Sequence, residues 1–243
     1  MRNYDLLTQR PMPRTLYRGD SRQPYVMFRD GFWARGSNND IRSHVHGDRH
    51  GNSNYVSTSG TEGVTIPFAR SQGMNNLAAA ARRQCDTVRA LNDQRRGWVS
   101  RIFPTRCNGQ AVTAETFVYL IDPRVGRNAV YVPDQIRGDA NLYNHYRSQD
   151  EWAYIHRIPR EAIMGVRVFR MTARAFDGVL VMNTIDMRFN RFMPNPNYGT
   201  ATIVYNPNND GSSRFNVNTD LNTPTLAANP YTRGCSSINR CRR

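Results

Sequence analysis

GVRVFRMTARAFDGVLVMNTID, residues 165 to 186, is β-prone along its length and is interrupted once, at Asp177-Gly178, a pair that marks a tight hairpin. Working back from it, ETFVYLID (115–122), NAVYV (128–132) and EWAYIHRI (151–158) read as further strands, so the second half of the chain is β-rich. The first half is mixed. Leu16-Tyr17-Arg18 reads as a short strand, Pro24 to Gly31 as a short helix closed by glycine, and YVSTS (55–59) as a β-prone run. Met74 to Asn92 is alanine-rich and helical in pattern, with Arg82, Arg83 and Arg89 on its polar side, and Asp93 to Thr113 reads as a loop carrying Cys107. Helices early and strands late predict an α+β domain over residues 15–190. Residues 1–14 are expected to be a disordered lead-in. After about Asn190 the composition shifts to Asn, Pro, Gly and Thr, so 191–243 reads as an extended tail with a terminal cysteine loop.

With 243 residues at 39% hydrophobic, the chain can bury a full-sized core. No segment reaches the roughly 18 consecutive apolar residues of a membrane span, and the polar N-terminus lacks a signal-type apolar segment. The expectation is a cytosolic chain or a mature form whose signal has been removed. The formal charge of +14 comes from 33 basic residues against 19 acidic ones, and every basic residue is arginine. Ordinary usage would supply on the order of a dozen lysines. Their absence reads either as genomic composition bias or as avoidance of ubiquitin attachment, which needs a lysine amine and would matter to a protein entering a eukaryotic cytosol unfolded. Cys85, Cys107, Cys235 and Cys241 contain no CxxC pair and have no histidine at zinc spacing, so no metal site is expected. Two disulfides are preferred over four free thiols. Three pairings are open, with 85–107 and 235–241 the nearest-neighbour choice.

QDEW, 149 to 152, places an amide and a carboxylate two positions apart. On a strand, Gln149 and Glu151 would lie side by side on one face while Asp150 and Trp152 point the other way. Together with LYRGDSR (16–22) and YVSTS (55–59), the motif resembles the arginine, Ser-Thr-Ser and Q/E-x-E elements of mono-ADP-ribosyltransferase toxins, in order and approximate spacing. The resemblance is to the pertussis toxin S1, cholera and heat-labile enterotoxin A and pierisin-like group. It extends through MFRDGF (27–32), GSNNDIRSHVHG (36–47) and QDEWAYIHRIPREAI (149–163), covering roughly residues 15 to 170. It implies the ADP-ribosyltransferase toxin fold, two antiparallel-rich sheets around an NAD cleft with N-terminal helices, and NAD as substrate.

By that resemblance Arg18 would hold an NAD phosphate or ribose through its planar donor fork, with Asp20 and Arg22 as local support. Ser57 would orient Glu151, and Thr58 and Ser59 would shape the strand beneath the nicotinamide. Glu151 would hydrogen-bond the ribose hydroxyl and stabilise positive charge at the anomeric carbon. His44 would help activate the acceptor nucleophile, with His46 and His50 close enough to blur that match. Arg35 before GSNN resembles the enterotoxin branch rather than the pertussis branch, and no cysteine follows the His44 segment.

Within the group, a glutamate at the position of Gln149 accompanies arginine acceptors, whereas glutamine accompanies asparagine, cysteine or guanine. The implied function is transfer of ADP-ribose to a host protein side chain by a secreted bacterial toxin acting in the host cytosol. A B subunit or delivery part would be its partner. Alternatives are guanine in DNA, which the positive charge would attract, water as acceptor in an NAD glycohydrolase, and a non-enzymatic basic nucleic-acid-binding protein. The terminal RGCSSINRCRR resembles the nicked, reducible loops that join toxin A chains to carriers, or is a simple terminal staple.

Overall fold

The computed structural model describes residues 11–98, 102, 107, 110–126 and 128–199. Most of the expected lead-in, the tail beyond residue 199, and Cys235 and Cys241 with their expected pairing lie outside the described residues. No helix among them is long and apolar enough to cross a membrane.

The order is β1 (Leu16–Asp20), α1 (Pro24–Asp30), β2 (Phe32–Trp33), α2 (Ile41–Val45), β3 (Tyr55–Ser59), α3 (Glu62–Arg96), β4 (Gln110–Ile121), β5 (Ala129–Tyr131), α4 (Val132–Gln135), α5 (Ala140–Tyr146), β6 (Glu151–Ile155), β7 (Arg157–Ile158), β8 (Ile163–Phe176), β9 (Val179–Leu180) and β10 (Asp186–Pro194). This is an α+β arrangement. Proline at its start and Gly31 at its end, the latter at φ 73, bound α1 as the sequence predicts. Asp177 (φ 50) and Gly178 (φ 79) turn β8 into β9, the geometry that the Asp-Gly pair favours.

Several elements differ from expectation. The alanine-rich helix runs from Glu62, twelve residues before Met74, although Pro67 lies inside it and removes one backbone donor. Its first turns rest on β1, so packing holds what local propensity does not. β4 begins at Gln110, inside the expected loop, where β8 pairs with it from Gln110↔Ala175 onward. The polar stretch before YVSTS contains α2, whose N-cap Asp40 accepts from the Arg42 N–H. β10, Asp186–Pro194, was not among the expected strands and runs past residue 190 into the expected tail, because β8 holds its backbone through Pro194↔Gly165 while its side chains stay largely exposed.

The strands form one antiparallel path, β10-β8-β4-β1-β3-β6-β5, with β9 on β8 and a separate β2-β7 ribbon. Two sheets around a cleft were expected, and the path is nearly divided into two. β1 pairs with β4 along its whole length, but β1 and β3 meet only at Tyr17↔Ser59. α3 lies against β1 on the β4 side of this seam. Gly19 permits the approach, since a Cβ there would come 2.7 Å from the Ala69 backbone nitrogen and 2.8 Å from the Thr65 carbonyl. The largest core, with Leu16, Phe32, Phe117, Tyr119, Trp152 and Tyr154 all fully buried, spans both halves beneath the seam. Each such side chain contributes about 1.5–3 kcal/mol through burial.

Candidate active site

At the seam the two halves part and leave a cleft. It is lined by Tyr17, Arg18 and Gly19 of β1, Ser57, Thr58 and Ser59 of β3, Val64, Thr65 and Phe68 of α3, and Gln149 and Glu151. The floor is thus polar, and α3 supplies an apolar wall.

Arg18 is held on three sides. Its Nη1 donates to the Ser57 carbonyl at 2.7 Å, its Nη2 lies 3.4 Å from Asp20 Oδ2, and its guanidinium stacks 5.1 Å from the Phe32 ring centre. Asp20 in turn receives a bidentate pair from Arg22, Nε at 2.9 Å and Nη2 at 2.7 Å. Burial alone would raise the Asp20 pKa, but the Arg22 charge and hydrogen bonds, with the Arg18 charge, outweigh it and hold the group at about 2. Tyr119 closes the base by donating to the Arg22 carbonyl at 2.7 Å, and burial pushes its own phenol well above the ordinary range.

The antiparallel register sets Ser59 directly opposite Glu151 and Thr58 opposite Trp152. The Thr58 hydroxyl donates to the Trp152 carbonyl at 2.6 Å and ties the two strands together, while the Ser59 hydroxyl donates to the Gln149 carbonyl at 2.8 Å and ties β3 to the turn before β6. Glu151 is 3% exposed at the start of β6. Gln149 is not on that strand. It ends a single 3-10 turn, Arg147–Gln149, and Asp150 follows in the left-handed region at φ 47, which aspartate tolerates better than most residues. Strand alternation is therefore the wrong reason for the pairing, yet the turn returns Gln149 to the same cleft wall as Glu151. Asp150 links this turn to the start of α3, its carboxylate accepting from the Thr61 hydroxyl at 3.1 Å and its carbonyl from the Gly60 N–H at 2.9 Å.

His44 sits behind the floor rather than in the cleft. It is 6% exposed, and its Nε2 lies 2.9 Å from Ser57 Oγ and 3.3 Å from Glu151 Oε1. Such a position does not suit a base acting on an acceptor in the cleft. Of the other histidines, His46 packs edge-on against Tyr146, ring centres 6.3 Å apart. The structure therefore brings Arg18, Asp20, Arg22, Ser57, Thr58, Ser59, Gln149 and Glu151 to one seam, with His44 beneath it.

Sequence reasoning missed Phe32, which carries the Arg18 guanidinium, and Val64 and Phe68, because nothing local says which helix will cover a cleft. It also missed Ser53, whose Oγ lies 2.7 Å from His44 Nδ1. Ser53 lies before β3, beyond a bend at Asn54, so strand alternation gave no signal for it.

A family model described as "Pertussis toxin, subunit 1" matches residues 11–219. A second, "Rapid ALkalinization Factor (RALF)", matches residues 202–243. No curated protein matches the chain in sequence. Among solved structures, EcPltA is similar at 18% identity and a TM-score of 0.45, over 76% of this chain and 87% of that one. Full-length CARDS toxin is similar at 20% identity and a TM-score of 0.44, over 76% of this chain but 29% of its own. Scabin toxin from Streptomyces scabies in complex with NADH is similar at 20% identity and a TM-score of 0.41, over 78% of each chain.

Proposed function

This chain belongs to the family of pertussis toxin, subunit 1, and from that premise we propose that it transfers ADP-ribose from NAD to a host protein side chain of asparagine or cysteine type rather than to arginine. It is an NAD-dependent mono-ADP-ribosyltransferase of the toxin kind. The observation that carries the acceptor reading is Gln149 in the cleft wall beside Glu151. An amide offers one donor pair and one acceptor but no charge to hold a guanidinium.

The donor set fits NAD. Arg18 presents a fixed guanidinium for a phosphate or ribose oxygen, and Val64 and Phe68 offer an apolar wall to the nicotinamide ring. The Glu151 carboxylate accepts from the adjoining ribose hydroxyl. The glycosidic bond to nicotinamide breaks with its electron pair leaving on the ring nitrogen, and positive charge grows on the anomeric carbon. Glu151 stabilises that charge, the acceptor atom bonds to the carbon, and the acceptor's proton passes to solvent. We place the action in the cytosol of a host cell after secretion, with a separate delivery part as partner.

Mass spectrometry of host lysate and nucleic acid incubated with labelled NAD tests this directly, comparing the native chain with Glu151→Ala. ADP-ribose on protein asparagine or cysteine, lost in the variant, is the expected result. Label on arginine would refute the role given to Gln149. Label on guanine would establish a second reading, favoured by the net charge of +14. Against that reading, many arginines of the catalytic domain are already matched locally to carboxylates, among them Arg89, Arg124, Arg167 and Arg191.

A further activity follows from the match of residues 202–243 to the rapid alkalinization factor model. We propose that this C-terminal segment, which holds Cys235 and Cys241, acts as an alkalinization factor, the activity in that family's name, independently of ADP-ribosylation. Full-length Glu151→Ala applied to target cells should still alkalinize their medium, and a chain ending at residue 201 should not. Equal responses from the two would dismiss the second activity.

A further inference from the structure

We propose that Ser53 is a positioning residue for ADP-ribosyl transfer. It would fix the tautomer of His44 so that the imidazole donates from Nε2 to Ser57, with that N–H turned towards Glu151, instead of acting as a base. The inference rests on the transferase reading of Glu151 but concerns a residue outside the cleft.

Ser53 is 3% exposed and its backbone is pinned on both sides. Its N–H donates to Asp48 Oδ1 at 3.0 Å, and its carbonyl accepts from the N–H groups of Arg35 and Gly36 at 3.1 and 3.0 Å. Its Oγ accepts from the Tyr55 N–H at 3.1 Å. A serine hydroxyl has one hydrogen and two lone pairs, and a buried hydroxyl hydrogen needs an acceptor. With Tyr55 occupying a lone pair, the hydrogen of Ser53 is directed at His44 Nδ1, 2.7 Å away. That nitrogen must then carry a lone pair, which puts the proton of neutral His44 on Nε2.

The far side of the ring accommodates the same tautomer without imposing it, since the Ser57 hydroxyl could also donate to a lone pair on Nε2. Nε2 faces Glu151 Oε1 at 3.3 Å and Ser57 Oγ at 2.9 Å. An ionised carboxylate can only accept, so a lone pair on Nε2 would meet the oxygen lone pairs of Glu151 at short range. The Nε2–H instead points to Ser57 Oγ at 2.9 Å and leaves its positive end 3.3 Å from Glu151 Oε1, which favours the carboxylate on its side of the seam. The Tyr55 ring, 5.2 Å from the imidazole centre, fixes the plane of the ring. Its hydroxyl donates to the Asn39 carbonyl at 2.8 Å. A histidine with both nitrogens committed to the protein orients the carboxylate that touches substrate, just as outer partners orient ligands in other sites.

The test reads the tautomer and the kinetics separately. Nitrogen-15 NMR of the full chain with labelled histidine should show His44 protonated on Nε2 in the native protein and mixed between the two nitrogens in Ser53→Ala. The same variant should lose about tenfold in kcat for nicotinamide release while KM for NAD stays within about twofold, since only Glu151 alignment changes. Ser53→Thr, which keeps the hydroxyl, should recover most of the rate. If Ser53→Ala does not fold, Ser53→Cys, whose thiol is a poor donor, is measured in its place. An Nδ1 proton in the native chain would overturn the proposal. So would an unchanged tautomer in the variant, or a rise in KM without loss of kcat. A native chain that shows the Nε2 tautomer but consumes no NAD would instead count against the transferase reading itself.

Discussion

Glu151 is the side chain on which the proposed chemistry turns. Glu151→Gln keeps its size and removes its charge, so kcat for NAD cleavage should fall by about two orders of magnitude or more with KM for NAD changed only a few-fold. Steady-state nicotinamide release measures both. A raised KM with unchanged kcat would reduce Glu151 to a binding group. Asp20 makes a prediction about pH. Its folded pKa of about 2 lies below the ordinary 3.8, so its contribution to stability is fully present above about pH 4. It is lost as the pH falls towards 2, and the difference corresponds to about 2 kcal/mol. Acid titration of denaturant midpoints should therefore slope more gently between pH 4 and 2 in Asp20→Asn than in the native chain. Equal slopes would mean that Asp20 is not the group that titrates there.

α3 is joined to its surroundings at two places by contacts that leave little slack. A methyl group at Gly19 would strike the backbone of α3 at Ala69 and Thr65, and a helix backbone cannot rotate away as a side chain can. Gly19→Ala should cost about 1–3 kcal/mol by denaturant unfolding and should raise KM for NAD, because Val64 and Phe68 on the same helix form the cleft wall. Loss of stability without any effect on KM would separate the helix from the site. The disulfide Cys85–Cys107 ties the far part of α3 to the segment that leads into β4. Asp177 at the β8–β9 turn adds to this junction, its N–H donating to the Cys107 carbonyl at 2.7 Å and its carboxylate accepting from Arg89 at 2.7 Å. Closing a loop of 22 residues, the bridge should contribute about 3 kcal/mol, so Cys85→Ser should lower the denaturation midpoint correspondingly.

Across the whole molecule, the sheet is continuous but unevenly coupled. β4 and β8 pair from Gln110↔Ala175 to Ile121↔Ile163, while one register pair joins β1 to β3. Hydrogen exchange should protect the β4 and β8 amides most, and the β3-β6-β5 half should open at lower free energy. Uniform protection across the seam would show that the shared core makes one cooperative unit. The α+β class, most of the strands and the short motifs LYRGDSR, YVSTS and QDEW that the cleft gathers were legible in the sequence because they rest on local pattern and turn chemistry, whereas β2 and β10 were not. What those residues do to one another was not local. That Gln149 reaches Glu151 through a left-handed turn, that α3 begins at Glu62 in spite of Pro67, and that His44 lies under the floor were decided only in the tertiary structure. In each case a deciding partner lies far away along the chain, Ser59 and Thr61 for the Gln149 turn, β1 for α3 and Glu151 for His44, and side-chain pairing energies at such separations leave no periodic trace in the sequence.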